Sequence, residues 1–427
     1  MKFEHPSWSY DTNIYEVNIR QYTAEGTFNA FKKHLPRLKD MGIEVLWFMP
    51  ITPISITGRK GSLGSYYAVQ NYKEVNPEFG SLQDFVDLAK DAHQLGFKVI
   101  IDWVANHTGN DNVWIEEHPD FFCYDDENKI IHPNGWEDVS KLNFDNQHMQ
   151  AAMTDAMKFW IAACDIDGFR CDMAHLVPLE FWRKATTALA KYKTNLFWFA
   201  ECEEANYHEV FDATYTWKWM HATEEFYKKH TDLNSLFTVL QEDGHSFPTN
   251  ALRVYFTGNH DENSWNGTEY EKYGEAAKAF AVFSCTWNGQ PMIYSGQELP
   301  NNKRLQFFDK DQIEWGQQCE LHDFYKILLH LRKTNTALRA ADKNVVTNKI
   351  ETDNDDKIFA FVRKNGEDEV LVILNLSAEK IIPKIFNEIL YGRFINVFDK
   401  TVIDITDIQN IELQPWSYLV YEKEKAL

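Results

Sequence analysis

The chain has 427 residues and a mass of 50.1 kDa, room for one large domain with a smaller one or for three modest ones. Hydrophobic residues make up 44% and charged residues 25%, with 19 Gly and 13 Pro, which excludes a disordered or collagen-like polypeptide. A net charge of −21 excludes nucleic acid as the main partner, since that binding needs clustered Lys and Arg, and favours a neutral or cationic ligand.

No apolar run approaches the roughly 18 residues of a membrane span. The first eight residues lack the basic, apolar and small-residue succession of a secretory signal, so a cytoplasmic protein with no membrane partner is expected. Six cysteines (Cys123, Cys164, Cys171, Cys202, Cys285, Cys319) show neither zinc spacing nor a disulfide framework and read as reduced, mostly buried thiols.

Along the chain, apolar runs of strand length fall at residues 14–20, 45–49, 98–104, 168–171, 196–200, more weakly 211–215, then 253–257 and 291–294. Amphipathic stretches between them predict helices over 28–39, 82–95 with Ser81 as N-cap, 149–164, 179–192 and 274–285. Eight strands with intervening helices predict an α/β fold, a closed (β/α)8 TIM barrel. A doubly wound sheet would need a Gly-rich phosphate turn after an early strand, and there is none. Residues 107–144, rich in Asp, Asn, Glu, Pro and aromatics, break the alternation and read as a short inserted domain after strand 3. Past about residue 340, alternating runs at 357–363, 369–374, 394–397 and 417–421 predict a C-terminal antiparallel β-sandwich. The expected domains are a barrel of 1–106 and 145–340, an insert of 107–144 and a carboxyl-terminal domain of 341–427.

In such a barrel the carboxyl ends of the strands form the active face. Four strands end in polar residues: one in Asp102, Asn106 and His107, one in Arg170 and Asp172, one in Glu201, and one in His260 and Asp261. Paired carboxylates can hydrolyse glycosides, one as acid and base, the other as nucleophile or as base for water. Arg170 stands two residues before Asp172 and shares its side of the strand. Glu201 follows Trp198, Phe199 and Ala200, an apolar approach expected to raise its proton affinity, which makes it the better candidate acid.

These four segments resemble the signature regions of the α-amylase family, glycoside hydrolase family 13: Asp102 to His107 with its Asp-x-x-x-Asn-His spacing, Gly168 to Asp172 as Gly-Phe-Arg-x-Asp, the single Glu201, and Asn259-His260-Asp261, in the family's order. Further likeness covers most of the chain, including Tyr15 to Arg20, Gly64 to Tyr67, Val75 to Gly80 and Gly289 to Glu298. The resemblance implies Asp172 as nucleophile, Glu201 as general acid and base, and Asp261 as the third carboxylate. It implies Arg170 orienting the nucleophile, Asp102, His107 and His260 binding substrate, and Tyr67 rather than Tyr66 stacking on the sugar. Asn106 matches a calcium ligand of many members; no cofactor is expected to be required, and calcium is the one candidate.

The chain departs from the family after the nucleophile, where His175 and Leu176 replace Lys-His, and at Val139 to Asn143, which lacks the usual Pro-Asp form. Asn106-His107-Thr108 is formally a glycosylation sequon, and Asp353 to Asp356 reads as a solvated turn. Cys171 and Cys202 adjoin catalytic candidates, but strand alternation turns them away. The expectation is a retaining hydrolase of α-1,4 bonds in starch-derived oligosaccharides, with a neutral α-glucan or maltooligosaccharide as its partner. The alternatives are an exo-acting α-glucosidase or glucanotransferase of the same family, and a non-catalytic glucan-binding relative. Endo against exo action and oligomeric state stay open at this level.

Overall fold

The computed structural model describes residues 4–316, 318–386, 389–405, 408 and 411–425; the first three residues of the amino-terminal stretch read above lie outside these. Eight strands close the barrel: β1 (Ile14–Val17), β2 (Val45–Phe48), β3 (Lys98–Val104), β6 (Gly168–Asp172), β7 (Phe197–Ala200), β8 (Ala213–Tyr215), β9 (Leu252–Tyr255) and β10 (Gln290–Tyr294). They follow one another in that order, every neighbour parallel, with β10 returning to β1. Between β3 and β6 the inserted segment folds a two-stranded antiparallel sheet from β4 (His107–Gly109) and β5 (Val139–Lys141).

Alternation sorts each strand into an inner and an outer row. Ile14, Val45, Trp47, Ile100, Phe197, Phe199, Leu252, Val254 and Met292 pack together inside the ring. Tyr15, Leu46, Phe48, Val99, Ile101, Phe169, Trp198 and Ile293 face the helices outside it. Helix Leu82–Gln94 begins with the expected Ser81 cap, completed by Asp84 into a reciprocal capping box. The helix expected over 28–39 is two helices, Phe28–Lys32 and Leu35–Met41. Pro36 at the start of the second would clash with the Lys32 carbonyl in a continuous helix. The strand expected over 14–20 stops at Val17, because Asn18 caps the short helix Ile19–Tyr22 by accepting from the Gln21 N–H.

The carboxyl-terminal strands are antiparallel, as expected, and join one ladder. β11 (Val346–Thr352), β12 (Ile358–Asn365), β13 (Asp368–Asn375), β14 (Ile385–Phe386), β15 (Arg393–Asn396), β16 (Val402–Asp404) and β17 (Tyr418–Lys423) lie in the order β14–β11–β12–β13–β17–β15–β16. One face contributes Phe359, Phe361, Val370, Val372 and Val420 to the barrel's outer core. The other carries its own cluster, including Ile358, Ala360, Val362, Leu371, Ile373 and Phe394. Among the described residues no helix is long and apolar enough to cross a membrane. All six cysteines are free thiols.

Candidate active site

The inner rows of β1, β3 and β6 end in charge. Glu16 continues the row of Ile14, Asp102 that of Ile100, and Arg170 and Asp172 finish β6, with Asp102 level with Arg170 across the β3–β6 ladder. Glu201 comes one residue past β7 and prolongs the pairing, its N–H donating to the Cys171 carbonyl at 2.9 Å. The loop after β9 delivers His260 and Asp261.

Arg170 is the hub. Its Nη1 donates to Asp102 Oδ1 and Oδ2 at 3.0 and 3.2 Å and to Asp172 Oδ1 at 3.2 Å. Its Nη2 lies 2.9 Å from Glu201 Oε2, a charge contact without hydrogen-bond alignment. The guanidinium carbon is 4.8 Å from the Trp47 ring centre. Glu201 Oε2 also accepts the Met173 N–H at 2.9 Å. Asp102 Oδ2 accepts from Trp47 Nε1 at 3.2 Å and from the Tyr67 hydroxyl at 3.0 Å. That hydroxyl sits 2.8 Å from His260 Nε2, while His260 Nδ1 bonds Glu16 Oε1 and Nε2 lies 3.3 Å from Asp261 Oδ2. Asp172 Oδ2 is buried and has no hydrogen-bond partner among the described residues.

Burial and the Glu201 charge push the Asp172 pKa well above the usual carboxylate range, against the pull of Arg170. Burial raises Asp102 to about 6 although Arg170 opposes it. His107 falls to about 4, burial outweighing the attraction of Asp138. Burial disfavours a charged His260, but Asp261 and Glu16 overcome it and hold the pKa well above 6.5. Asp261 is lowered, the neighbouring His260 cation more than offsetting burial. Cys171 and Cys202 are buried thiols pushed upward, Cys202 to about 12, the inert kind.

Above this layer opens a cavity of about 430 Å3, lined by Tyr67, His107, Asp172, Glu201 and Asp261 among the sequence-predicted residues. Asp102, Arg170 and His260 lie beneath it, their side chains sealed from solvent. Tyr66 points elsewhere, its hydroxyl donating to Asn18 Oδ1 at 3.1 Å and its ring 4.2 Å from the Arg20 guanidinium carbon. His175 is exposed near the Glu201 carbonyl.

The sequence reading missed Glu16, although its register with Ile14 was available. It also missed the rim residues Lys60, Trp136, Asp138, Phe307 and Phe308, which stand in loops without periodicity, and Trp265 on the π-helical turn Glu262–Asn266. The Asn106 amide lies 3.2 Å from His107 Nδ1, and among the described residues no three His, Cys, Asp or Glu side chains converge as a metal site. A calcium ion wants six or more oxygens, of which the sequence reading names Asn106 alone.

A barrel whose strand ends converge three carboxyls, an arginine and two histidines on one cavity has the form of a glycoside hydrolase site. The Alpha-amylase family model, described as "Alpha amylase, catalytic domain", matches residues 9–138 and 125–355, and the chain belongs to that family. It is similar to the alpha-amylase MalA of Haloarcula japonica, 26% identical over 88% of this chain and 57% of that protein; the chain thus spans little more than half of that relative. A cyclomaltodextrinase of Geobacillus thermopakistaniensis is 25% identical over 88% of this chain and 71% of its own. Among solved structures, a noncanonic maltogenic alpha-amylase, AmyB of Thermotoga neapolitana, superposes with a TM-score of 0.89 at 27% identity, covering 98% of this chain and 99% of that one. An alpha-amylase from Lactobacillus plantarum gives 0.88 at 26%, covering 97% and 99%.

Proposed function

We propose that the chain is a retaining hydrolase of α-1,4-glucosidic bonds in starch-derived oligosaccharides. The observation that carries this reading is the grip of one guanidinium on two carboxyls, Asp172 at 3.2 Å and Glu201 at 2.9 Å. Such sharing suits the roughly 5–5.5 Å carboxyl separation of retaining enzymes rather than the roughly 6.5–9.5 Å that admits a water between base and sugar.

The mechanism requires a protonated Glu201 and an ionised Asp172, whose charge Arg170 holds at 3.2 Å against the burial that favours the neutral acid. Glu201 protonates the glycosidic oxygen as the bond to the sugar breaks. Asp172 Oδ2, free of hydrogen bonds, forms the new bond to the anomeric carbon while Oδ1 stays on Arg170. Water then enters, Glu201 takes its proton, and the Asp172 ester is displaced with a second inversion. Asp261, ionised beside the His260 cation, accepts hydroxyls of the reacting ring, and Tyr67 covers its apolar face. Every step uses side chains of this chain and a neutral glucan, in keeping with the surface charge.

The relatives named as amylase and cyclomaltodextrinase support a glucan substrate. Proton NMR of the products of maltoheptaose, recorded before mutarotation, tests the proposal: the α anomer is expected. The β anomer would overturn the retaining assignment, and absence of cleavage would overturn the substrate.

A further inference from the structure

The loop that precedes Tyr67 is clamped on two sides. Toward the inserted segment, the Ile56 and Thr57 N–H groups donate to Asp111 Oδ2 at 2.8 and 3.0 Å. Gly58, at φ +72°, approaches so closely that a Cβ would stand 2.9 Å from Asn110 Nδ2, whose amide donates to the Glu137 carbonyl at 2.8 Å. Toward the loop after β10, Ser62 donates its N–H and hydroxyl to Asp309 Oδ1 at 2.7 and 2.6 Å. The Leu63 N–H meets the Phe308 carbonyl at 3.0 Å.

Lys60 stands between the clamps. Its ammonium is 2.7 Å from Asp138 Oδ1 and 6.0 Å from the Phe308 ring centre, and all three residues line the cavity of Asp172 and Glu201. Asp138 is buried, its side chain 8% exposed. The Lys60 side chain is 42% exposed, and an ion pair open to water on one side contributes little stability, so the frame around Lys60 is better explained by where it holds the pair than by what the pair adds to folding.

Position on the reaction path follows from the chemistry. Glu201 protonates the leaving oxygen, so the leaving sugar lies toward β7 and the Met173–His175 turn. The sugar that bonds Asp172 lies over Tyr67 and beside His107. Asp138, paired with Lys60, lies near enough for its charge to act on His107, and Phe308 reaches Tyr67 through Phe307, whose ring lies 5.1 Å from Phe308 and stacks 6.4 Å from Tyr67. They meet the units that precede the reacting ring.

Building on the reaction proposed above, we propose that the Lys60–Asp138 bridge, backed by Phe308, is the end wall of the cleft on the non-reducing side, so that the enzyme attacks α-glucans from their chain ends. The bridge offers an ammonium and a carboxylate to the hydroxyls of a terminal sugar. A chain continuing past that sugar would have to break the bridge.

The test compares maltoheptaose with the same oligosaccharide capped by an acetal across the fourth and sixth hydroxyls of its non-reducing unit. The wild type is expected to cleave the free chain at least about tenfold faster than the capped one, in kcat/KM. Lys60→Ala and Asp138→Asn should each bring that ratio toward one, chiefly by lowering KM for the capped chain, whereas Lys60→Arg keeps the wild-type ratio. Thermal unfolding identifies any variant that fails to fold, and the other then decides. Equal wild-type rates on both substrates, or an unchanged ratio in a folded Lys60→Ala or Asp138→Asn protein, would overturn the wall. Cleavage of neither substrate by the wild type would overturn the underlying reaction instead.

Discussion

Asp172 and Glu201 share one arginine but have different tasks, and substitution should separate them. Asp172→Asn removes the nucleophile and Glu201→Gln the proton carrier; each is expected to lower kcat by about a thousandfold or more, with circular dichroism unchanged. Added azide should restore turnover only where the nucleophile or the base, not the binding of sugar, has been lost. The adjacent tyrosines divide differently. Tyr67 faces the cavity while Tyr66 is sealed against Asn18 and Arg20, so Tyr67→Ala should raise KM. Tyr66→Ala should instead cost stability, about 3–5 kcal/mol, read by denaturant unfolding. His260 carries a pH signature. Its pKa is held above 6.5 in the folded state by Asp261 and Glu16, so its contribution to stability is complete below about 6.5 and is lost as pH rises through the folded value. Wild-type Tm followed from about pH 6 to 9 should fall accordingly, and in Glu16→Gln the fall should begin at a lower pH. At this scale the sequence was informative wherever strand periodicity applied. Arg170 and Asp172 share a face because they are two apart, and the residues after each apolar run converge because a barrel has one mouth. Lys60 and Phe308 carry no such signal: their loops are ordered by contacts between segments far apart in the chain.

Among elements, the two glycines that frame Lys60 deserve a measurement of their own. Gly61 adopts φ +62°, and a Cβ there would meet Phe308 Cβ at 2.6 Å and its carbonyl at 2.9 Å; both the left-handed backbone and the contact penalise any other residue. Gly61→Ala should push the loop from the β10 side, lowering kcat/KM on maltooligosaccharides and quickening proteolysis between Arg59 and Leu63, while the Tm falls only slightly because the barrel core is untouched. Element prediction succeeded for strands, whose apolar runs are buried on both faces by the ring and by the helices. It overextended the first strand and the first helix because periodicity continues across Asn18 and Pro36, whereas a side-chain cap and a missing N–H stop the backbone. The carboxyl-terminal runs were legible as strands, but which strands pair is set by ladders such as β13 with β17, which no local pattern encodes.

For the whole molecule, barrel and carboxyl-terminal sheet share a core. Phe359 lies 5.6 Å from Phe283 and Phe361 4.8 Å from Trp287. Arg363 reaches from β12 to donate to the carbonyls of Trp287 at 2.9 Å, Leu338 at 3.3 Å and Arg339 at 2.8 Å. Arg363→Met should therefore cost on the order of 2–4 kcal/mol, since it strands buried carbonyls, and calorimetry should show one transition at a lower temperature. Two separated transitions would mean that the sheet unfolds by itself. The ring has a further consequence, which belongs to synthesis. β1 acquires its second neighbour only from β10, with Ile14 level with Met292. Until that stretch leaves the ribosome, the nascent sheet keeps two unpaired edges open to other chains. The hazard lasts as long as translation takes, so the pace of the ribosome and the supply of chaperones bear on the yield of active protein in a way that equilibrium stability does not record.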